Sequence, residues 1–292
     1  MEFITVLSIV AAVLYFLIAF IGGAAVICIA GLSRKWKQFC NALAGGVLIG
    51  VSLCHMLGDN LGAVDPLGKA ISKALGGDPD DAFPLGLAAA GCGFFLIVTL
   101  EYMFGGHEKS PEDPRDQRGQ YVEENSSSGS SAGSGEEKGP EVETEIKGLA
   151  TFVGISIHSS IEGVATGATA SADTLGILVI AVLLHKGFAA FAVGASLLGI
   201  RKAKGIATWW TLVIIFALTG PVGLAMGAIF RSSFEDAVPA AFLQCLAAGT
   251  LLAVGITDMV MPALEDIGVW KKRKLVAAFL GFFCMGILAV WA

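Results

Sequence analysis

The stretch HSSIEGVATGA, residues 158 to 168, places an imidazole and a carboxylate four residues apart. On a helix, residues i and i+4 lie one above the other on the same face, so His158 and Glu162 share a face with Ser159 beside them. A second stretch, VLLHKGFAAFAVGASL, interrupts an apolar run with His185 and Lys186. Two imidazoles and a carboxylate form a donor set suited to zinc and other divalent first-row metals. Three protein ligands leave a coordination position open for water or exchange, as a site that must also release its metal requires. Gly163 and Gly167 on the first stretch, with Gly187, Ala190 and Gly194 on the second, predict close approach of the two helices.

Further ionisable residues flank this pair. His55 and Asp59 are again spaced i, i+4, and Asp258 stands alone in another apolar run. Ionisable groups inside membrane helices are expensive and commonly line ion routes, so these three outline a polar path. Each feature also has a plainer explanation. A single intramembrane histidine can be a hydrogen-bonded packing residue, Glu162 and Lys186 can be a structural ion pair, and Asp59 and Asp258 can simply mark helix ends. The gathering of His, Glu, His and Lys on two adjacent spans is what favours a site. Glu101, Glu265 and Asp266 fall at expected cytosolic interfaces and need no function.

The elements that must position these residues are membrane spans. The chain has 292 residues, 55% hydrophobic and 15% charged, with a mean hydropathy of +0.74. A soluble domain carries about 25% charged residues. With about 20 apolar residues needed to cross a bilayer, eight spans are expected, at about 4–31, 40–61, 84–104, 147–170, 175–198, 206–229, 238–261 and 273–291. The first is longer than a signal-peptide core and lacks a basic leader, so it reads as retained. The loops SRKWK (33–37), RKAK (201–204) and KKRK (271–274) are basic, while those on the opposite side offer Lys69, Lys73 and Arg231. The positive-inside rule makes the basic loops cytosolic and both termini extracytosolic. Trp36, Trp209, Trp210, Trp270 and Trp291 all fall near expected interfaces.

Residues 105–146 hold eleven Asp or Glu against four Lys or Arg and include NSSSGSSAGSGEEKGPEVE. Such a composition buries too little apolar surface to offset chain entropy, so a disordered acidic cytosolic loop is expected, with His107 in a solvated linker. The net charge of −6 resides in this loop and says little about partners. Six cysteines without CxxC spacing read as packing residues. The chain therefore divides into 1–104 (spans one to three), 105–146 (loop), 147–199 (spans four and five with the metal site) and 200–292 (spans six to eight).

Residues 43–59, LAGGVLIGVSLCHMLGD, align without gaps on residues 246–262, LAAGTLLAVGITDMVMP, matching at six of seventeen positions, including Gly46 with Gly249 and Met56 with Met259. The second span runs outward and the seventh inward, as an inverted repeat requires. His55 then stands opposite Asp258. Spans one to three mirror spans six to eight in this reading, around a central pair formed by spans four and five.

HSSIEGVATGA followed by HKGFAAFAVGASL resembles the paired fourth and fifth helices of the ZIP family of divalent metal transporters, and CLAAGTLLAVGITDMVMP resembles that family's seventh helix. The resemblance covers nearly all eight spans and the long loop after the third. It implies an all-α membrane protein of eight transmembrane helices that moves zinc, with iron, manganese or cadmium as open alternatives, toward the cytosol. His158, Glu162 and His185 match family metal ligands, and Ser159 matches a position often held by a ligating polar residue. Many members carry acidic residues where this chain has Lys186 and Ala189, and those acids help to build a second metal site. A fixed ammonium would repel a second dication, so one metal is expected here, as in the subgroup with HK at this point. Ile161 replaces a proline that some members place in the fourth helix.

The combined expectation is a zinc importer, entered past Asp59 and His55 and left past Asp258. It is no enzyme and holds zinc as substrate, without a prosthetic group. Its partners are a divalent metal ion and the lipid bilayer, not nucleic acid; a homodimer remains open. The plasma membrane is the default location. Two rivals stand beside this reading: an intramembrane zinc-dependent hydrolase using Ser159 or Ser160, and a solute carrier for a non-metal substrate in which the His and Glu couple protons.

Overall fold

In a hydrocarbon medium a backbone must satisfy its own hydrogen bonds, and the apolar runs of this chain do so as helices. The computed structural model describes residues 2–31, 33–78, 80–104, 140–231, 237–265 and 270–288, and no strand occurs among them. Helix α1 is Glu2–Ala30. Helix α2 is continuous over Arg34–Ala74, with a π-helical segment, Val51–Leu57, in its middle. Helix α3 is Leu85–Phe104, α4 is Pro140–Ala168 and α5 is Ala172–Ser196, followed by a short helix, Leu198–Lys204. Helix α6 is Ile206–Ile229. Helix α7 runs from Ala237 to Val254, continues as a π-helical segment Gly255–Val260, and ends with Met261–Glu265. Helix α8 is Lys271–Leu288.

Among the described residues, α1, α2, α3, α5, α6 and α7 are each long and apolar enough to cross a membrane. The chain is an integral, multi-pass membrane protein. Helix α4 falls short because it carries the polar centre, and α8 because it opens on Lys271, Lys272, Arg273 and Lys274.

Several expectations change. Helix α2 does not stop near residue 61 but runs to Ala74, through Pro66, so Lys69 and Lys73 belong to a helix rather than a loop. Helix α4 begins at Pro140, which removes residues 140–146 from the expected loop. The rest of that segment, with His107, lies outside the described residues, as do Asp266 and Trp291. Trp209 is not an interfacial ring. It is fully buried and donates from Nε1 to the Gly194 carbonyl at 3.0 Å. The six cysteines are free thiols.

The helices pack as two groups. Helix α1 lies along α5 and α6, and α4 along α6, while α2 lies along α8 and α3 along α7. Helix α4 against α7 is the broadest joint between the groups, and α2 against α5 is a smaller one. Gly163 and Gly167 do not serve the α4–α5 contact: they face Gly220 and Leu224 of α6. Gly187 and Gly194 likewise face Gly22 and Gly23 of α1. The reason is rotational. One residue on from Glu162 is about 100° round the helix, so the rotation that turns Glu162 toward α5 turns Gly163 toward α6 instead. In lipid, where helices gain little from apolar burial against each other, such backbone approach supplies the packing.

Candidate metal centre

His158, Ser159 and Glu162 come from the middle of α4, and His185 and Lys186 from the middle of α5. All five are 2% exposed or less. The Nε2 of His185 lies 2.7 Å from Glu162 Oε1, and the Nε2 of His158 lies 3.9 Å from the same oxygen. One donor atom from each of His158, Glu162 and His185 falls within 4.8 Å of the others, which defines a metal-capable cluster among the described residues. Donors around a tetrahedral zinc stand about 3.3 Å apart, from bond lengths near 2.0–2.1 Å. Small side-chain adjustments would close the set on an ion.

The far side of each ring supports this use. His185 Nδ1 lies 2.9 Å from the carbonyl of Ala181 in its own helix. His158 Nδ1 lies 2.9 Å from the Ala247 carbonyl and 3.1 Å from Thr250 Oγ1, both on α7. A ring nitrogen that faces a carbonyl carries the proton, so the lone pair of His158 sits at Nε2, the arrangement typical of metal-ligating histidines, while His185 Nε2 donates to Glu162 Oε1 and would give up that proton to a metal. His158 Nε2 is buried and makes no hydrogen bond. A buried polar atom without a partner is costly, and a metal ion would satisfy it.

Lys186 donates to Ser159 Oγ at 2.8 Å and stands 3.7 Å from Glu162 Oε2. Its ammonium lies 5.1 Å from the centroid of the Tyr15 ring on α1. Gly220 of α6 makes the room, since a Cβ there would come within 2.6 Å of Nζ. Glu162 is therefore shared between an imidazole and a fixed cation.

The flanking residues are not members of this cluster and sit on the π-helical segments or just beyond. His55 Nδ1 is 2.5 Å from Asp59 Oδ2; the histidine side chain is 8% exposed and the aspartate 47%. On α7, Thr257 Oγ1 lies 3.0 Å from Glu101 Oε1 of α3 and 3.3 Å from Asp258 Oδ1. Glu101, expected to be a plain interfacial residue, thus belongs to the Asp258 cluster. The sequence also gave no notice of Tyr15 or Thr250. A hydroxyl in an apolar run was the only available signal, and such hydroxyls are common.

A helical protein with multiple membrane-capable spans and a buried His, Glu, His cluster at mid-helix has the features of a carrier of divalent metal ions across a bilayer. The family model for the ZIP zinc transporters matches residues 5–289, and the chain belongs to that family. Transport of divalent metal ions is the family's function and this chain's. Zinc in such a protein is cargo rather than a prosthetic group. The chain is similar to "Zinc transporter ZIP2" of Homo sapiens, 27% identical over 284 residues that cover 90% of this chain and 88% of the relative. It is similar to "Zinc transporter ZIP1" of Danio rerio at 27% over 273 residues, covering 88% and 86%. "Zinc transporter 8" of Oryza sativa subsp. japonica is 31% identical over 151 residues, 48% of this chain and 38% of the relative.

Proposed function

We propose that this chain imports zinc into the cytosol through a single-metal site made by His158, Glu162 and His185, with Ser159 at its edge. The observation that carries the assignment is the buried, unpartnered Nε2 of His158, aimed at a carboxylate and a second imidazole whose outer nitrogens are already engaged. The same donors accept iron(II), manganese and cadmium. Metal enters past Asp59 and His55 and leaves past Asp258, with Glu101 beside it. Lys186 fills the position of a second metal and neutralises Glu162 when the first is absent. A buried carboxylate left unpaired would be strongly destabilising.

In this reading all eight long helices cross the membrane, and helices α1–α3 mirror α6–α8. Two observations support the repeat. Exchanging α1 with α6, α2 with α7, α3 with α8 and α4 with α5 turns the α1–α5 pairing into α6–α4, and α2–α8 into α7–α3. The π-helical segments Val51–Leu57 and Gly255–Val260 fall at matching positions of the gapless alignment, and its paired glycines, Gly46 and Gly249, each press on a carbonyl, that of Ala278 and that of Ala90. An inverted repeat suits alternating access about a central site. The basic loops place both termini outside, and the plasma membrane is the simplest location.

The protein is not an enzyme in this reading. The hydroxyls a hydrolase would need are engaged: Ser159 with Lys186, and Ser160 with the Ser156 carbonyl at 2.9 Å. The test is zinc uptake into liposomes holding a zinc-sensitive dye. Flux by the wild type that disappears in Glu162→Ala and His185→Ala is the expected result. A folded wild-type protein without zinc flux would overturn the proposal.

A further inference from the structure

The two metal-facing imidazoles are held differently. His185 is oriented by Ala181, four residues earlier in the same helix, so its ring keeps its orientation wherever α5 goes. His158 is oriented by α7, which belongs to the other group of helices.

The hydrogen bonds on α7 have one consistent arrangement. Thr250 Oγ1 lies 2.7 Å from the Ala247 carbonyl in its own helix and donates its proton there. The hydroxyl then has only lone pairs left for His158 Nδ1, at 3.1 Å. The Ala247 carbonyl accepts from the same ring nitrogen at 2.9 Å. Two acceptors facing Nδ1 fix the proton on it and leave Nε2 as the free lone pair that points to Glu162. Thr250, Ala247 and Ala248 are fully buried, and Gly249 presses α7 so closely on the Ala90 carbonyl of α3 that a Cβ would overlap it. The acceptors therefore sit on a firmly seated helix.

We infer that Thr250 is a positioning residue for metal binding: with the Ala247 carbonyl it holds His158 in the metal-binding tautomer and orientation, and it makes the grip on the metal depend on α4 being docked against α7. This rests on the reading of His158 as a ligand. When α4 and α5 shift against α7, Glu162 and His185 travel together and keep their mutual geometry, while His158 loses its anchor. The site then holds the ion with two oriented ligands rather than three, and release becomes easier.

The experiment uses the full chain as Thr250→Val, which keeps the shape and removes the hydroxyl, and Thr250→Ser, which keeps the hydroxyl. Zinc affinity is measured by calorimetry, the geometry of bound Co²⁺ by its visible absorption, and KM and Vmax by uptake into liposomes. Outer partners of metal-bound histidines are worth about 10–100-fold in affinity. Thr250→Val is expected to weaken zinc binding about tenfold, raise KM by a similar factor, and alter the Co²⁺ bands, without lowering Vmax per inserted molecule. Thr250→Ser is expected to restore all of these. Wild-type affinity and KM in Thr250→Val would overturn the inference, as would an equal loss in both variants accompanied by a fall in Vmax, which marks a packing role. His158→Ala is measured in parallel. If it binds zinc as the wild type does, the ligand reading itself fails and this inference with it; if it weakens binding while Thr250→Val does not, the role of Thr250 alone is refuted.

Discussion

At the centre, His158, Glu162 and His185 are nearly or wholly sealed from solvent and project from regular α-helical stretches of α4 and α5. At the flanks, His55, Asp59 and Asp258 lie on or next to the π-helical segments of α2 and α7, and Asp59 is 47% exposed. The residue types overlap, but the surroundings differ. Buried donors act at low effective dielectric, where a dication and a carboxylate attract strongly, whereas the exposed Asp59 is screened, although His55 beside it is buried. In the proposed reading the centre holds the ion and the flanks pass it on. The flanks also differ from each other: one pairs the His55 imidazole with the Asp59 carboxylate, while the other gathers Glu101, Asp258 and Thr257, oxygen donors only. Zinc is gripped better by nitrogen donors than by oxygen alone, which is the order that the proposed import path, with capture at His55 and discharge at Asp258, would need.

The contrast is sharpest if the centre is broken. Glu162→Ala removes the carboxylate that both imidazoles face and leaves Lys186 with Ser159 as its hydrogen-bonding partner. Zinc binding by calorimetry is expected to fall more than about 100-fold and uptake to background, on the scale of losing a buried charged partner. A variant that still binds zinc at one per chain would place the holding site elsewhere.

Lys186→Ala tests the same centre in the other direction. Its ammonium, 3.7 Å from Glu162 Oε2, would stand close to a dication held there, and unit charges about 4 Å apart interact by about 4 kcal/mol even at an effective dielectric of 20. Relaxation and water will absorb most of that, so the expected change is about tenfold tighter zinc binding with slower uptake, because release becomes limiting. Unchanged affinity and unchanged flux together would remove the assigned role of Lys186.

The centre was legible in the sequence because its pattern is local. His158 and Glu162 need only helical spacing to share a face, and ionisable residues stand out in an apolar run. What joins distant segments was not legible. Thr250 meets His158 across 92 positions, Glu101 meets Thr257 across 156, and no periodicity announces either. The glycines of α4 and α5 were recognisable as contact points, but their partners were assigned to the wrong neighbour, since composition shows that a face is small without showing what it meets. The π-helical segments depend on a shifted backbone register that side-chain pattern does not encode. The continuation of α2 past Gly58 was hidden by its polar stretch GDNLGAVDP, which reads as a helix end yet remains helical to Ala74.

The smaller predictions separate the two flanks. Asp258→Asn keeps the shape of its cluster and removes the charge that, on the proposed path, draws the ion from the centre. Uptake rate should fall several-fold, about 1 kcal/mol of barrier, while KM and zinc affinity at the centre stay near wild type. His55→Ala at the outer flank should behave oppositely, with KM for uptake rising about threefold and the maximal rate holding. One lost donor in a partly hydrated pair is worth well under the 1.4 kcal/mol that a factor of ten requires. Rate and KM from the same liposome assay decide the matter: an Asp258→Asn variant changed only in KM, or a His55→Ala variant changed only in rate, would reverse the direction of transport assigned to the two ends.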